Sequence, residues 1–205
     1  MKPESIAFGV AGIVFGLIAG WIIGSQQASM RPGAAVATGA PSAAAAPAAP
    51  AAALLDENKV KALTAVAAQQ PTNATPRIEL GNLYFDSERY TDAIQWYGEA
   101  LKLAPKDVNV STDLGVSYYY TNQPDLALAQ FDESLKIDPS HAKTLLNQGI
   151  VRAFGKQDLA GAEESWQRVL QLSPTGPEAE AAKRALDSLR SAHPPGAGST
   201  GKPGA

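Results

Sequence analysis

Apolar residues follow two different patterns along this chain. Ile6 to Gly24 form a run of 19 residues without a charge or a strongly polar side chain. At a rise of ~1.5 Å per residue such a helix spans roughly 30 Å, the thickness of a bilayer core. From Val60 onward the spacing changes to threes and fours. Val60, Leu63 and Val66-Ala67 share one stripe; Ala181, Ala182, Ala185, Leu186 and Leu189 share another, with Lys183, Arg184, Asp187 and Arg190 largely opposite. This spacing predicts amphipathic helices that bury one face. Between the two stripes a pattern occurs twice at an offset of 34 residues: Leu80-Gly81 and Tyr84 recur as Leu114-Gly115 and Tyr118, Ala93 as Ala127, Tyr97 as Phe131, and Pro105 as Pro139. A fixed period of this length predicts a helical repeat array.

Prolines frame the repeats. Pro71, Pro105 and Pro139 are 34 residues apart, and Pro174 follows after 35. Proline cannot continue a helix but readily follows one. Small and aromatic residues at these matched offsets resemble the tetratricopeptide repeat family. The resemblance implies an all-α solenoid of helical hairpins. A solitary helix, 56–69, precedes repeats at 74–107, 108–141 and 142–175, and a capping helix, 178–191, closes the open end, as such arrays require. Helices are expected at about 77–86, 91–103, 110–120 and 124–137. Repeat three carries one extra residue between its helices, with Leu145, Gly149, Ala162, Trp166, Val169 and Pro174 in the seam. Three positions depart from the family pattern. Arg77 replaces a large apolar residue and is expected to loosen the first turn; Gln148 and Arg152 replace an apolar residue and an aromatic.

Ahead of the repeats, the run 6–24 reads as an uncleaved single transmembrane helix, a signal anchor. It follows a flank at 1–5 that contains Lys2 and Glu4, and it precedes Ser25-Gln26-Gln27. Trp21 lies where an interfacial aromatic would sit. The run is long for a signal peptide, and Gly24-Ser25-Gln26 makes a poor cleavage site. Lys2 and the amino terminus outweigh Arg31, which favours a cytoplasmic N-terminus. Gly12, Gly16, Gly20 and Gly24 form a stripe that suits close packing with another membrane helix. Residues 25–53, rich in Ala and Pro, read as a disordered tether reaching ~80 Å at ~3.1 Å per residue. The tail, 192–205, reads as disordered.

Net charge is -3, so nothing favours nucleic acid as a partner. The chain has no cysteine and two histidines, His141 and His193, so no metal site or cofactor is expected. Asp132-Glu133 and Glu163-Glu164 are adjacent on helices and point about 100° apart, as solvated faces do. No phosphate-binding loop or nucleophile–base arrangement stands out, and an enzyme is not expected.

The resemblance places a ligand groove along the first helices of the repeats. Its residues here would be Thr75, Ile78, Asn82, Phe85 and Asp86; Asn109, Thr112, Asp113, Val116, Tyr119 and Tyr120; and Lys143, Leu146, Asn147, Ile150 and Phe154. The asparagine amides both donate and accept hydrogen bonds, which suits a peptide backbone. Some family members clamp a chaperone's C-terminal carboxylate with lysine, asparagine and arginine. Asn82 and Lys143 stand at two of those positions, but Ile78, Asp113 and Asn147 occupy the others, and Asp113 would repel a carboxylate. The expected function is a membrane-tethered adaptor that binds a protein or peptide. The expected setting is a bacterial inner membrane with the repeats on the periplasmic side. The competing reading is a self-assembling homo-oligomer held by the glycine stripe and the repeat faces.

Overall fold

The computed structural model describes residues 54–192. The described residues form eight α-helices and one π-helical turn. Helix α1 (Glu57–Gln69) starts where Asp56 Oδ1 accepts the N–H groups of Asn58 and Lys59, both at 3.0 Å. Such a cap satisfies donors that have no partner within the helix. Helices α2 (Thr75–Asp86) and α3 (Tyr90–Leu103) make the first hairpin. Helices α4 (Val108–Tyr120) and α5 (Pro124–Ile137) make the second; Asp107 caps α4, and Pro124 opens α5, where no hydrogen bond is lost. Helix α6 (Ala142–Ile150) continues into the π turn Val151–Gly155 and pairs with α7 (Leu159–Leu172). Helix α8 (Pro177–Ala192) packs on both α6 and α7.

A small residue facing a large one sets each hairpin crossing. Gly81 lies against the Tyr97 ring, Gly115 against Phe131 and Gly149 against Trp166. All three rings are at most 2% exposed. Ala93, Ala127 and Ala162, each 0% exposed, allow the same closeness from the second helix.

The extra residue of the third repeat lies within the first helix and not in the connection. Lys156 N–H reaches back five residues to the Val151 carbonyl at 3.1 Å, and Asp158 N–H reaches the Arg152 carbonyl at 2.8 Å. In the first two hairpins the equivalent closing bonds run from Arg89 to Tyr84 and from Gln123 to Tyr118, one residue fewer. A single wide turn absorbs the insertion and keeps both helices in register.

The sequence departures tie the array together. Arg77 was expected to loosen the first turn of its repeat. Its guanidinium instead donates to the carbonyls of Asn73 at 2.9 Å, Ala67 at 3.2 Å and Gln70 at 3.4 Å, and Glu99 lies 3.7 Å away. The end of α1 is thereby bound to the first hairpin. Gln148 donates to Asp132 Oδ1 at 2.9 Å and accepts from Ser165 Oγ, and Arg152 donates to Ser165 Oγ and the Gly161 carbonyl, both at 3.0 Å. A polar seam replaces the apolar one, and its buried members are satisfied.

The transmembrane part of the expected fold is corrected. Among the described residues no helix is long and apolar enough to cross a membrane. The longest, α8, has 16 residues and carries charges along one side; at ~1.5 Å per residue it spans about 24 Å, short of a ~30 Å bilayer core. The expected span 6–24 with Gly12, Gly16, Gly20 and Gly24, the tether 25–53 and residues 193–205 lie outside the described residues. The supported fold is an all-α helical-hairpin solenoid, and the expectations of a transmembrane helix, a membrane tether and a membrane location are withdrawn.

Candidate functional site

Helices α2, α4 and α6, the first of each hairpin, lie side by side. Phe85 on α2 meets Tyr120 on α4 edge-on at 6.1 Å between ring centroids. Polar contacts join α4 to the start of α6. Thr112 and Thr144 hydroxyls are 2.6 Å apart, Lys143 Nζ donates to Asp113 Oδ1 at 2.7 Å, and His141 Nε2 lies 3.2 Å from Asn109 Oδ1.

The donors in this network run in one direction. Thr112 donates to the Val108 carbonyl at 2.7 Å, so the Thr112–Thr144 bond takes its proton from Thr144. His141 Nδ1, 2.7 Å from Thr144 Oγ1, must then carry a proton. With Nδ1 protonated, Nε2 of a neutral ring is an acceptor facing the Asn109 oxygen, so the 3.2 Å contact becomes a hydrogen bond when the ring is protonated and Nε2 donates to Oδ1. Burial holds His141 below the ordinary histidine pKa; Asp138 opposes this and Lys143 adds to it. The neutral ring is thus the resident form near pH 7.

The expected site residues divide into three groups. Asn82 and Asn109 are exposed, and Lys143 and Asp113 are partly exposed. Asn82 Oδ1 accepts from the Tyr97 hydroxyl at 2.8 Å, which turns its amide nitrogen outward. Thr112, Ile150 and Asn147 are buried, at 0%, 5% and 7% exposure. Thr112 and Ile150 support the face from below. Asn147 donates to the Lys143 carbonyl at 2.9 Å, and its oxygen is left to the face. Ile78, Phe85, Val116 and Tyr119 are half-buried and pack on the hydrophobic clusters. Phe154 is half-buried in the π turn.

The tyrosine run resolves into separate roles. Tyr118 joins the clusters on either side of α4. Tyr120 stacks on Tyr90 with centroids 4.5 Å apart and an interplanar angle of 12°, and Tyr119 contacts Tyr120 at 6.0 Å. Burial, with Tyr120 as the lesser cause, pushes Tyr119 up to about 12; burial, then Glu88, does the same for Tyr120. Both rings stay neutral over the physiological range. Burial raises the Asp113 carboxyl while Lys143 draws it back, and burial followed by Asp113 raises Asp86. The sequence reading missed Tyr90 as a member of this aromatic cluster. It also missed His141 and Thr144 as the links between Asn109 and α6.

Among the described residues no group of three or more metal-binding side chains could hold an ion. Two family models match the chain, one described as TPR repeat over residues 81–122 and one as tetratricopeptide repeat over residues 112–177. Together they span residues 81–177, just under half of the chain, and over that stretch the chain is similar to tetratricopeptide repeat arrays. An array of this kind is a scaffold and not a catalyst. The human protein O-mannosyl-transferase TMTC3 is 28% identical over 115 residues, 56% of this chain and 13% of that protein. Hsp70-Hsp90 organizing protein 3 of Arabidopsis thaliana is 28% identical over 141 residues, 68% of this chain and 25% of that protein. The chain therefore spans no more than a quarter of either relative. The solved first TPR of Spaghetti (RPAP3), bound to HSP90 peptide SRMEEVD, superposes with a TM-score of 0.53 at 26% identity, covering 58% of this chain and 91% of that one. The crystal structure of MamA shares the fold, with a TM-score of 0.54 at 18% identity over 64% of this chain and 78% of that one. Both curated relatives are eukaryotic, and these comparisons give the expected bacterial envelope setting no support. That setting and the periplasmic placement are withdrawn.

Proposed function

We propose that the repeat array binds an extended peptide along the face made by α2, α4 and α6. The observation that carries this reading is the likeness to a solved repeat domain holding a peptide, which reaches 91% of that domain. The chemistry of the face agrees. Asn82, Asn109 and Asn147 sit on three successive first helices and offer amides to a main chain that both donates and accepts. Half-buried aromatic rings border them, and such rings give contact area at little cost in side-chain entropy. No catalytic step is part of the function.

The test is a titration of 15N-labelled full-length protein with SRMEEVD and with a pooled random heptapeptide library. Shifts of the Asn82, Asn109 and Asn147 side-chain amide signals are expected, with α3, α5 and α7 little affected. Shifts confined to the second helices, or none with either probe, would refute the reading.

A further inference from the structure

We propose that Asp113 determines specificity: by holding Lys143 it makes this face read the interior of an extended peptide instead of its terminal carboxylate. The inference rests on the peptide-binding reading above. A terminal carboxylate in a partly dehydrated site needs a charged donor. Three cations belong to the first helices and their π turn: Arg77, Lys143 and Arg152. Each is committed elsewhere. Arg77 serves the carbonyls of Ala67, Gln70 and Asn73. Arg152 serves the Gly161 carbonyl and Ser165. Lys143 meets Asp113 at 2.7 Å, with side chains only 21% and 23% exposed, so water competes poorly for the pair. Lys156, just past the π turn, pairs with Asp125 at 2.6 Å.

The groups left for a ligand are neutral amides of fixed polarity. Asn82 points its nitrogen outward because the Tyr97 hydroxyl holds its oxygen. Asn147, nine-tenths buried, spends a nitrogen proton on the Lys143 carbonyl and keeps its oxygen for the face. A peptide main chain complements that alternation of donor and acceptor. A chain end that brings a negative charge instead meets the carboxylates of Asp113 and exposed Asp86. The occupant is therefore an extended peptide bound through its interior, without net negative charge where it crosses α4.

Fluorescence anisotropy of the full chain with labelled SRMEEVD, as the free acid and as the C-terminal amide, tests this. Wild type should bind the two forms within about twofold. Asp113→Asn frees Lys143 and should favour the acid by about tenfold, the effect of one new charge-assisted hydrogen bond. Adding Lys143→Gln to Asp113→Asn should return the ratio to the wild-type value, and unchanged circular dichroism melts would show that the variants fold. The inference is overturned by a tenfold acid preference in wild type, or by no gain of preference in folded Asp113→Asn. Either result, accompanied by shifts at the Asn82 and Asn109 amides, leaves the peptide-binding face standing. Absence of those shifts in all three proteins overturns both readings.

Discussion

Replacing Gly115 by alanine adds one methyl group to α4 where it crosses α5. The new Cβ would stand 2.5 Å from Cε1 and 2.7 Å from Cδ1 of Phe131, and 3.3 Å from the Ala127 carbonyl oxygen. Neither neighbour has room to move, since both residues are 0% exposed. Overpacking costs ~1–3 kcal/mol and occasionally more, against a helix-propensity gain of ~1 kcal/mol for Gly→Ala. Contacts this short lie at the severe end, so the net loss is about 2 kcal/mol. Gly98→Ala supplies the control. It is also inside a helix, α3, but nothing lies within 4 Å of its added Cβ. Only propensity acts there, and a gain of ~0.5–1 kcal/mol is expected. Urea unfolding of the full chain, followed by far-ultraviolet circular dichroism, separates the two variants. With a slope of ~2 kcal/mol/M, Gly115→Ala lowers the midpoint by about 1 M and Gly98→Ala raises it by ~0.3–0.5 M. Equal midpoints would mean that the helices part to admit the methyl, and the tight crossing would not be what the glycine is for.

Other substitutions probe the caps, the α1 tie and the histidine. Glu88 and Gln157 both end helical segments at φ 57°, a conformation that costs a side chain ~1–2 kcal/mol. Glu88→Gly and Gln157→Gly should each raise stability by ~0.5–1 kcal/mol after glycine's greater unfolded-state entropy is subtracted, read as a higher melting temperature. Arg77→Ala removes donors to three carbonyls and should cost about 2 kcal/mol. Hydrogen exchange should then speed up in α1 while α6 and α7 keep their protection; uniform acceleration would contradict a local role. His141 has a folded-state pKa below its unfolded value of about 6.5, so the folded protein prefers the neutral ring. Its contribution is complete above pH 6.5 and declines as pH falls from there through the folded value. The stability of wild type minus that of His141→Asn, measured from pH 7.5 to 5, should fall in that window, and a flat difference would remove His141 from the linkage.

The periodic features were legible in the sequence because each repeat poses the same packing problem. Gly81 and Tyr97, Gly115 and Phe131, and Gly149 and Trp166 recur because a small residue must face a large one wherever two helices cross closely. The contacts between repeats were not legible. Thr112 meets Thr144 and Asp113 meets Lys143 across 32 and 30 residues, which no local spacing announces. Arg77 illustrates the same limit. As one residue in a pattern it looks like a defect, but its long side chain reaches three carbonyls of the preceding segment. The burial of Thr112, expected in the groove, was hidden for a related reason. Its helical position points toward the face, but α6 lies over it and Thr144 takes its hydroxyl. The apolar run 6–24 was read on hydropathy alone, and it lies outside the described residues.

Polar contacts between α4 and α6 do what an apolar interface does poorly: they fix one rotation of one helix against the other. Apolar side chains slide with little penalty, whereas the Thr112–Thr144 bond at 2.6 Å and the Asp113–Lys143 bond at 2.7 Å are each satisfied in a single register. That register also sets where Asn109 and Asn147 stand relative to one another, so the geometry offered to a ligand follows from the same bonds that join the repeats. Asp113 therefore has two roles, since it positions α6 and it silences the ammonium of Lys143. A variant at this position alters both at once. A change in affinity common to the acid and amide peptides would report the altered geometry. A change in their ratio would report the released charge.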